Sequence, residues 1–255
     1  MGDLFRLDGQ RVLVTGASSG LGRHFAHTLA KAGAEVALAA RSADKLADAA
    51  AEIRGLGGKA VAVTLDVTDA ASVRDAVART EAELGPITTL VNNAGVVVGK
   101  PLFEHDENDW NRVMDTNLKG AWLVAHEVAR RMVAHALGGA IINIASILGL
   151  RVVGGLPEYS VSKAGLIHLT KVLALELARH TIRVNAIAPG YITTDLNRDF
   201  LQSAAGQAII RRIPQRRAGE PGDLDGALLL LASDASRYMT GVIIPVDGGH
   251  LSSTL

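Results

Sequence analysis

The chain has no cysteine, which excludes disulfides, thiolate zinc sites and a thiol nucleophile and suits a reducing, cytoplasmic setting. It has no charge excess either: 26 Lys and Arg balance 26 Asp and Glu. Nothing in that balance recruits nucleic acid or an anionic membrane. Long apolar runs are also missing, and the longest, residues 227–232, is far too short to cross a bilayer. The opening MGDLFRLDGQ is charged and lacks the apolar segment of a signal peptide, and Arg6 stands where a myristoylation start would need Ser or Thr. The expected partner is therefore a neutral small molecule, with neither nucleic acid nor membrane.

What the chain does have is core-forming material. At 255 residues and 48% apolar composition it is expected to form one domain over 1–255. Short β-branched or apolar runs at 11–15, 35–40, 60–65, 89–92, 140–145 and 183–187 alternate with stretches of helical period. Leu21, Phe25, Leu29 and Ala32 recur on one helical face, and Gly33 supplies a stop. Alternation of this kind predicts an α/β fold: a Rossmann-type, doubly wound parallel sheet of about seven strands with helices on both faces. The least regular stretch, about 190–213, is expected to be a substrate lid.

The first strand runs straight into Thr15-Gly16-Ala17-Ser18-Ser19-Gly20-Leu21-Gly22 and then a helix. Free N–H groups at that helix start suit a pyrophosphate, and the glycines let the backbone approach it. The spacing G-x-x-x-G-x-G departs from the commoner G-x-G-x-x-G pattern. Where an acid would hold a ribose 2′-hydroxyl, the second strand ends in Ala39-Ala40-Arg41. A guanidinium there pairs with a 2′-phosphate, so NADP(H) is expected over NAD(H).

Ser146 closes a strand, and Tyr159 and Lys163 lie four apart on one face of the following helix. An ammonium about 4 Å from the phenol would attract the phenolate by about 4 kcal/mol and draw its pKa from about 10 toward about 7. That value suits general acid/base work.

With these residues in order, the chain resembles the short-chain dehydrogenase/reductase family, in its compact, single-domain, 3-oxoacyl-reductase-like branch. The resemblance runs over nearly the whole chain: TGASSGLG, Asp66-Val67, Asn92-Asn93-Ala94-Gly95, Asn117, Ser146, Tyr159-Ser-Val-Ser-Lys163 and Arg183-Val-Asn-Ala-Ile-Ala-Pro189-Gly190. It implies hydride transfer between the cofactor and a ketone or secondary alcohol, with Tyr159 as proton donor and acceptor. It implies Asp66 and Val67 at the adenine, Asn93 and Gly95 near the adenosine-side ribose, and Ile192 and Thr194, after Pro189-Gly190, at the nicotinamide amide and phosphates. Lys163 would also hold the nicotinamide ribose, Asn117 would keep a proton-relaying water, and Ser146 would stabilise charge on the substrate oxygen. Two positions depart from common family usage: Thr88 replaces a frequent acid, and Ser19 a basic residue frequent in NADPH users.

Substrate choice is expected from Val96, Val97, Ile147, Leu148, Leu156 and Tyr191, with Leu150, Arg151, Leu196 and Phe200 beside them. Mostly apolar, they favour a medium-sized apolar ketone; a 3-oxoacyl thioester is the alternative if Arg151, Arg211 or Arg212 meets a phosphate. An epimerase or dehydratase, and a sensor that binds NADP(H) without turnover, are the other readings. His24 and His27 lack carboxylates at ligand spacing, so no metal is expected. Gly248-Gly249-His250 reads as a surface tail. The helix at about 158–179 is apolar on more than one side, which predicts a subunit interface, and the resemblance implies a homotetramer.

Overall fold

The computed structural model describes residues 4–195 and 197–253, so the Met-Gly start and Leu196 lie outside the described residues. In chain order the larger elements are β1 (Arg11–Thr15), α1 (Gly20–Lys31), β2 (Glu35–Ala40), α2 (Ala43–Gly55), β3 (Ala60–Thr64), α3 (Ala70–Leu84), β4 (Thr89–Asn92), α4 (Glu107–Met114) and a π-helical turn, Asp115–Gly120. There follow α5 (Ala121–His135), β5 (Gly139–Ile144), α6 (Pro157–Leu177), β6 (Ile182–Pro189), α7 (Arg198–Gln202), α8 (Ala204–Ile210), α9 (Asp225–Ala232) and β7 (Ile243–Val246). The strands form one seven-stranded sheet in the order β3-β2-β1-β4-β5-β6-β7, and every pairing is parallel.

Strand alternation divides the core into two layers. Val12 and Val14 of β1 pack with Phe25 and Leu29 of α1, Leu46 and Ile53 of α2, and Leu228 and Leu231 of α9. Leu13, between them, faces the other way, toward Val73 and Val77 of α3, Val124 and Val128 of α5, and Ala174 of α6. Each fully buried Leu, Ile or Val contributes roughly 1.5–3 kcal/mol, so both layers hold the sheet firmly. Thr88, which replaces a common acid, accepts from the Arg11 N–H at 2.9 Å and so clips the start of β1 to the start of β4.

Two segments differ from the sequence expectation. The seventh strand was not located in sequence because it contains Pro245 and none of its residues is buried. The Val242 and Val246 carbonyls accept from Ala186 of β6 and from Gly190 just after it. By alternation Pro245 faces away from that ladder, where its missing N–H costs nothing. Residues 190–213 are not an irregular loop but carry α7 and α8, the second begun by Ser203, whose hydroxyl accepts from Gly206 N at 3.2 Å. Gly219 N–H donates to Tyr191 O at 2.9 Å, and Thr193 N–H to Gly219 O at 2.7 Å, which anchors the segment's stem. Among the described residues no helix is long and apolar enough to cross a membrane.

Candidate active site

Strand order reverses between β1 and β4, so crossovers leave from β1 to one side and from β4 to the other, and a crevice opens beyond their carboxyl ends. A cleft of about 710 Å³ lies there. Its wall is made by residues that follow the strands: Gly16 after β1, Arg41 after β2, Asp66 and Val67 after β3, Asn93 and Gly95 after β4, Ser146 after β5, and Gly190 after Pro189 of β6. Ser18, Ser19, Gly20, Leu21 and Gly22 line it at the start of α1, Tyr159 and Lys163 on α6, and Pro189, Ile192 and Thr194 along the opposite lip.

The end near β1 is shaped for phosphate. Gly16 has φ +67°, and a methyl there would stand 2.9 Å from Ala94 Cα, while one on Gly22 would overlap the Gly16 carbonyl oxygen. Ser19, the residue before α1, makes no side-chain cap, and the first turn of α1 contains no acid. The first N–H groups of α1 are therefore left to a ligand. Asn93 holds this turn shut: its Nδ2 donates to Thr15 O at 3.0 Å, and its N–H donates to Thr15 Oγ1 at 3.0 Å. At the far end Asp66 accepts from both Thr68 N–H (2.9 Å) and Thr68 Oγ1 (2.7 Å), bonds that hold its carboxyl below the usual range, with a smaller contribution from Arg41. Arg41 is exposed and makes no hydrogen bond or salt bridge among the described residues. Ser42, the uncapping residue before α2, lines the cleft beside it. Sequence reading missed Ser42 and Thr68, which no motif marks. These features fit a dinucleotide.

At the other end Leu148 N–H donates to Ser146 Oγ at 3.1 Å, which leaves the serine proton to point elsewhere. Lys163 is 4% exposed, and its Nζ donates to Ile144 O at 2.8 Å and lies 5.6 Å from the centre of the Tyr159 ring. Burial brings the lysine down to about 8. The same crowding raises the Tyr159 phenol, with a smaller opposing effect from its hydrogen bond with Ser146. This differs from the expectation that Lys163, helped by cofactor charge or a dry site, draws the phenol toward neutrality: the ammonium is aimed at a backbone carbonyl, and desolvation is the largest influence on the phenol.

Asn117 does not line the cleft; it is buried behind it in the π-helical turn. Its Oδ1 accepts from Val96 N–H at 2.7 Å, and its Nδ2 donates to Val96 O at 2.9 Å and Ser162 Oγ at 3.1 Å. One lone pair of Oδ1 remains. A methyl on Gly95 would stand 3.4 Å from that oxygen and 3.7 Å from Lys163 Nζ, so the two flank Gly95.

Val96, Val97, Ile147, Leu148, Leu156 and Tyr191 line the substrate end. Leu150, Arg151 and Phe200 do not. Arg151 instead donates to the His250 carbonyl, and at 3.4 Å to Ser253 Oγ. The surface-tail reading of Gly248-Gly249-His250 is corrected by the same contacts: His250 is 6% exposed and its ring lies 5.8 Å from that of Tyr191. Burial lowers its pKa. His24 and His27 are paired with carboxylates from other elements, Asp225 at 2.8 Å and Glu52 at 3.2 Å.

Comparison with known proteins agrees with this geometry. A family model described as enoyl-(acyl carrier protein) reductase matches residues 16–250. Gluconate 5-dehydrogenase of Gluconobacter oxydans is 38% identical over 97% of this chain and 96% of its own. A 3-oxoacyl-[acyl-carrier-protein] reductase of Thermotoga maritima is 39% identical over 96% of this chain and 98% of its own. Among solved structures, a gluconate 5-dehydrogenase from Burkholderia cenocepacia in complex with NADP and tartrate superposes with TM-score 0.95 at 39% identity, covering 99% of each chain. A short-chain type dehydrogenase/reductase from Mycobacterium marinum gives TM-score 0.92 at 45% identity, over 97% of this chain and 98% of that one. With relatives matched end to end and the motif residues gathered in one cleft, the chain belongs to the short-chain dehydrogenase/reductase family, NAD(P)-dependent oxidoreductases that act on CH–OH groups.

Proposed function

We propose that this enzyme reduces a medium-sized, largely apolar ketone with NADPH, or oxidises the matching secondary alcohol with NADP, and works as one unit over 1–255. The observation that carries the reading is the meeting of Ser146, Tyr159 and Lys163 at one end of a cleft whose other end is an uncapped helix start. The bound nicotinamide supplies or accepts the hydride. Ser146 holds the substrate oxygen with the proton that Leu148 leaves free, and Tyr159 gives that oxygen its proton in reduction. Lys163 would hold the nicotinamide ribose and keeps positive charge near the phenol. Asn117 pins Val96 and serves the lysine through its one spare lone pair.

Gly16, Ser18, Ser19, Gly20, Leu21 and Gly22 would take the pyrophosphate, Asp66 and Val67 the adenine, and Gly95 the ribose region, with Asn93 shaping the turn from behind. Pro189, Gly190, Ile192 and Thr194 would meet the nicotinamide side, beneath a lid at 190–213. The preference for NADP(H) rests on Arg41, which is exposed, makes no hydrogen bond or salt bridge among the described residues and stands next to Ser42. Arg41→Ala should raise KM for NADPH about tenfold or more and leave KM for NADH little changed, since an ion-assisted hydrogen bond is worth about 1.5–3 kcal/mol. A wild type that prefers NADH ends this part of the reading.

The apolar wall favours a ketone with few polar groups, and the test is a panel of apolar ketones, sugar acids and acyl thioesters followed by nicotinamide absorbance. The 3-oxoacyl thioester alternative loses support because Arg151 is held by the chain's own C-terminal segment and neither Arg211 nor Arg212 lines the cleft. For assembly, α6 carries Leu175 at 82% exposure and Val161 at 46%, and Trp122 of α5 is 43% exposed. A homotetramer would cover these exposed apolar side chains. Light scattering at micromolar concentration that returned a monomer would exclude it.

A further inference from the structure

We propose that His105 and Glu158 form a buried latch that positions the substrate-side loop against the catalytic helix, and that breaking it weakens substrate binding. The proposal rests on the reading of Tyr159 as the reacting group, because Glu158 is its immediate neighbour in the first turn of α6. The two side chains come from segments far apart in sequence and are 5% and 3% exposed. His105 Nδ1 stands 2.8 Å from Glu158 Oε1. That contact is close but not aligned as a full hydrogen bond, and Glu158 Oε2 has no hydrogen-bond partner among the described residues. On the other side of the ring, Nε2 is 2.9 Å from the Lys100 carbonyl.

These partners fix the protons. A carbonyl only accepts, so Nε2 carries hydrogen and Nδ1 faces the carboxyl. The pair joins the loop to α6 through a buried polar contact of 2.8 Å, and removal of either partner leaves the other unsatisfied.

The latch closes a short circuit of contacts. Lys100 N–H donates to Gly155 O at 3.1 Å, which ties the loop to the segment entering α6. Lys100 Nζ pairs with Asp109 of α4 at 2.6 Å. The same loop begins with Val96 and Val97, which wall the cleft, and a methyl on Gly99 would touch Leu156 at 3.5 Å. The charged and titratable groups around the imidazole are Lys100, Glu104 and Asp106 on its own segment, Asp109 on α4, whose carboxyl feels the charge of His105, and Glu158 on α6. Without the pair, the Val96–Val97 wall loses its fixed distance from Tyr159.

The test compares wild type with Glu158→Gln and Glu158→Ala. Glu158→Gln, whose amide can still donate to Nδ1, should keep KM for the ketone close to that of wild type, Glu158→Ala should raise it about tenfold, the size expected for one unpaired buried group, and KM for NADPH should hold steady in all three. Hydrogen-exchange protection of amides 98–106 should follow the same order and requires no turnover, so a failure of the Tyr159 reading leaves this arm intact. A KM for the ketone in Glu158→Gln as high as that of Glu158→Ala overturns the proposal. So does wild-type KM and loop protection in Glu158→Ala.

Discussion

Tyr159→Phe is expected to lose turnover by about 10⁴-fold, the upper end of what a positioned proton donor contributes, while NADPH binds with nearly unchanged affinity. The asymmetry follows from geometry. The phenol sits beside Ser146 at the substrate end of the cleft, whereas the groups that fit phosphate lie at Gly16, Gly20 and Gly22. Phenylalanine keeps the ring and its packing and removes only the oxygen that exchanges a proton with substrate. Single-turnover kinetics and cofactor fluorescence separate the two quantities, and a mutant with near-normal kcat would remove Tyr159 from the chemistry.

Lys163→Met is expected to be inactive and yet more stable than wild type near pH 7. Burial lowers the lysine from 10.5 to about 8. The unfolded chain therefore binds that proton more tightly than the folded one, a penalty of about 3 kcal/mol wherever both states are protonated. Leaving the Ile144 carbonyl without its donor returns about 1 kcal/mol, so the gain should be about 2 kcal/mol. The sign with pH follows directly. The penalty is complete below about 8 and fades between about 8 and 10.5, so wild type gains on the mutant as pH rises through that window. Denaturant titrations at neutral and alkaline pH measure both, and a less stable Lys163→Met at pH 7 contradicts the account. Stability given up at a working ammonium is the familiar trade at active sites.

Most of the sheet was legible because its strands are continuous apolar runs buried on both faces, which read the same without tertiary context. The phosphate turn was legible for the opposite reason: its glycines are demanded locally, by the approach of Gly16 to Ala94 and of Gly22 to Gly16. What escaped reading depends on distant partners. β7 is short, half-exposed and carries Pro245, so only its pairing with β6 identifies it. The π-helical turn that carries Asn117 has no residue signature, since it arises from closure onto Val96 and Ser162. α7 and α8 are too short for helical period to register. The direction of the Tyr159 shift was misread because spacing along a helix gives proximity to Lys163 but says nothing of how dry the phenol is or where the ammonium points.

The placement of reacting and binding groups beyond the ends of six different strands also has a kinetic meaning. β1 and β4 are sewn together by Arg11 and Thr88, 77 residues apart, and β6 must dock before Pro189 and Gly190 take their place. Pairings between such distant segments form late in folding. Regained catalysis after dilution from denaturant should therefore trail regained helix signal, and a nicked or half-assembled chain should have no partial activity to report.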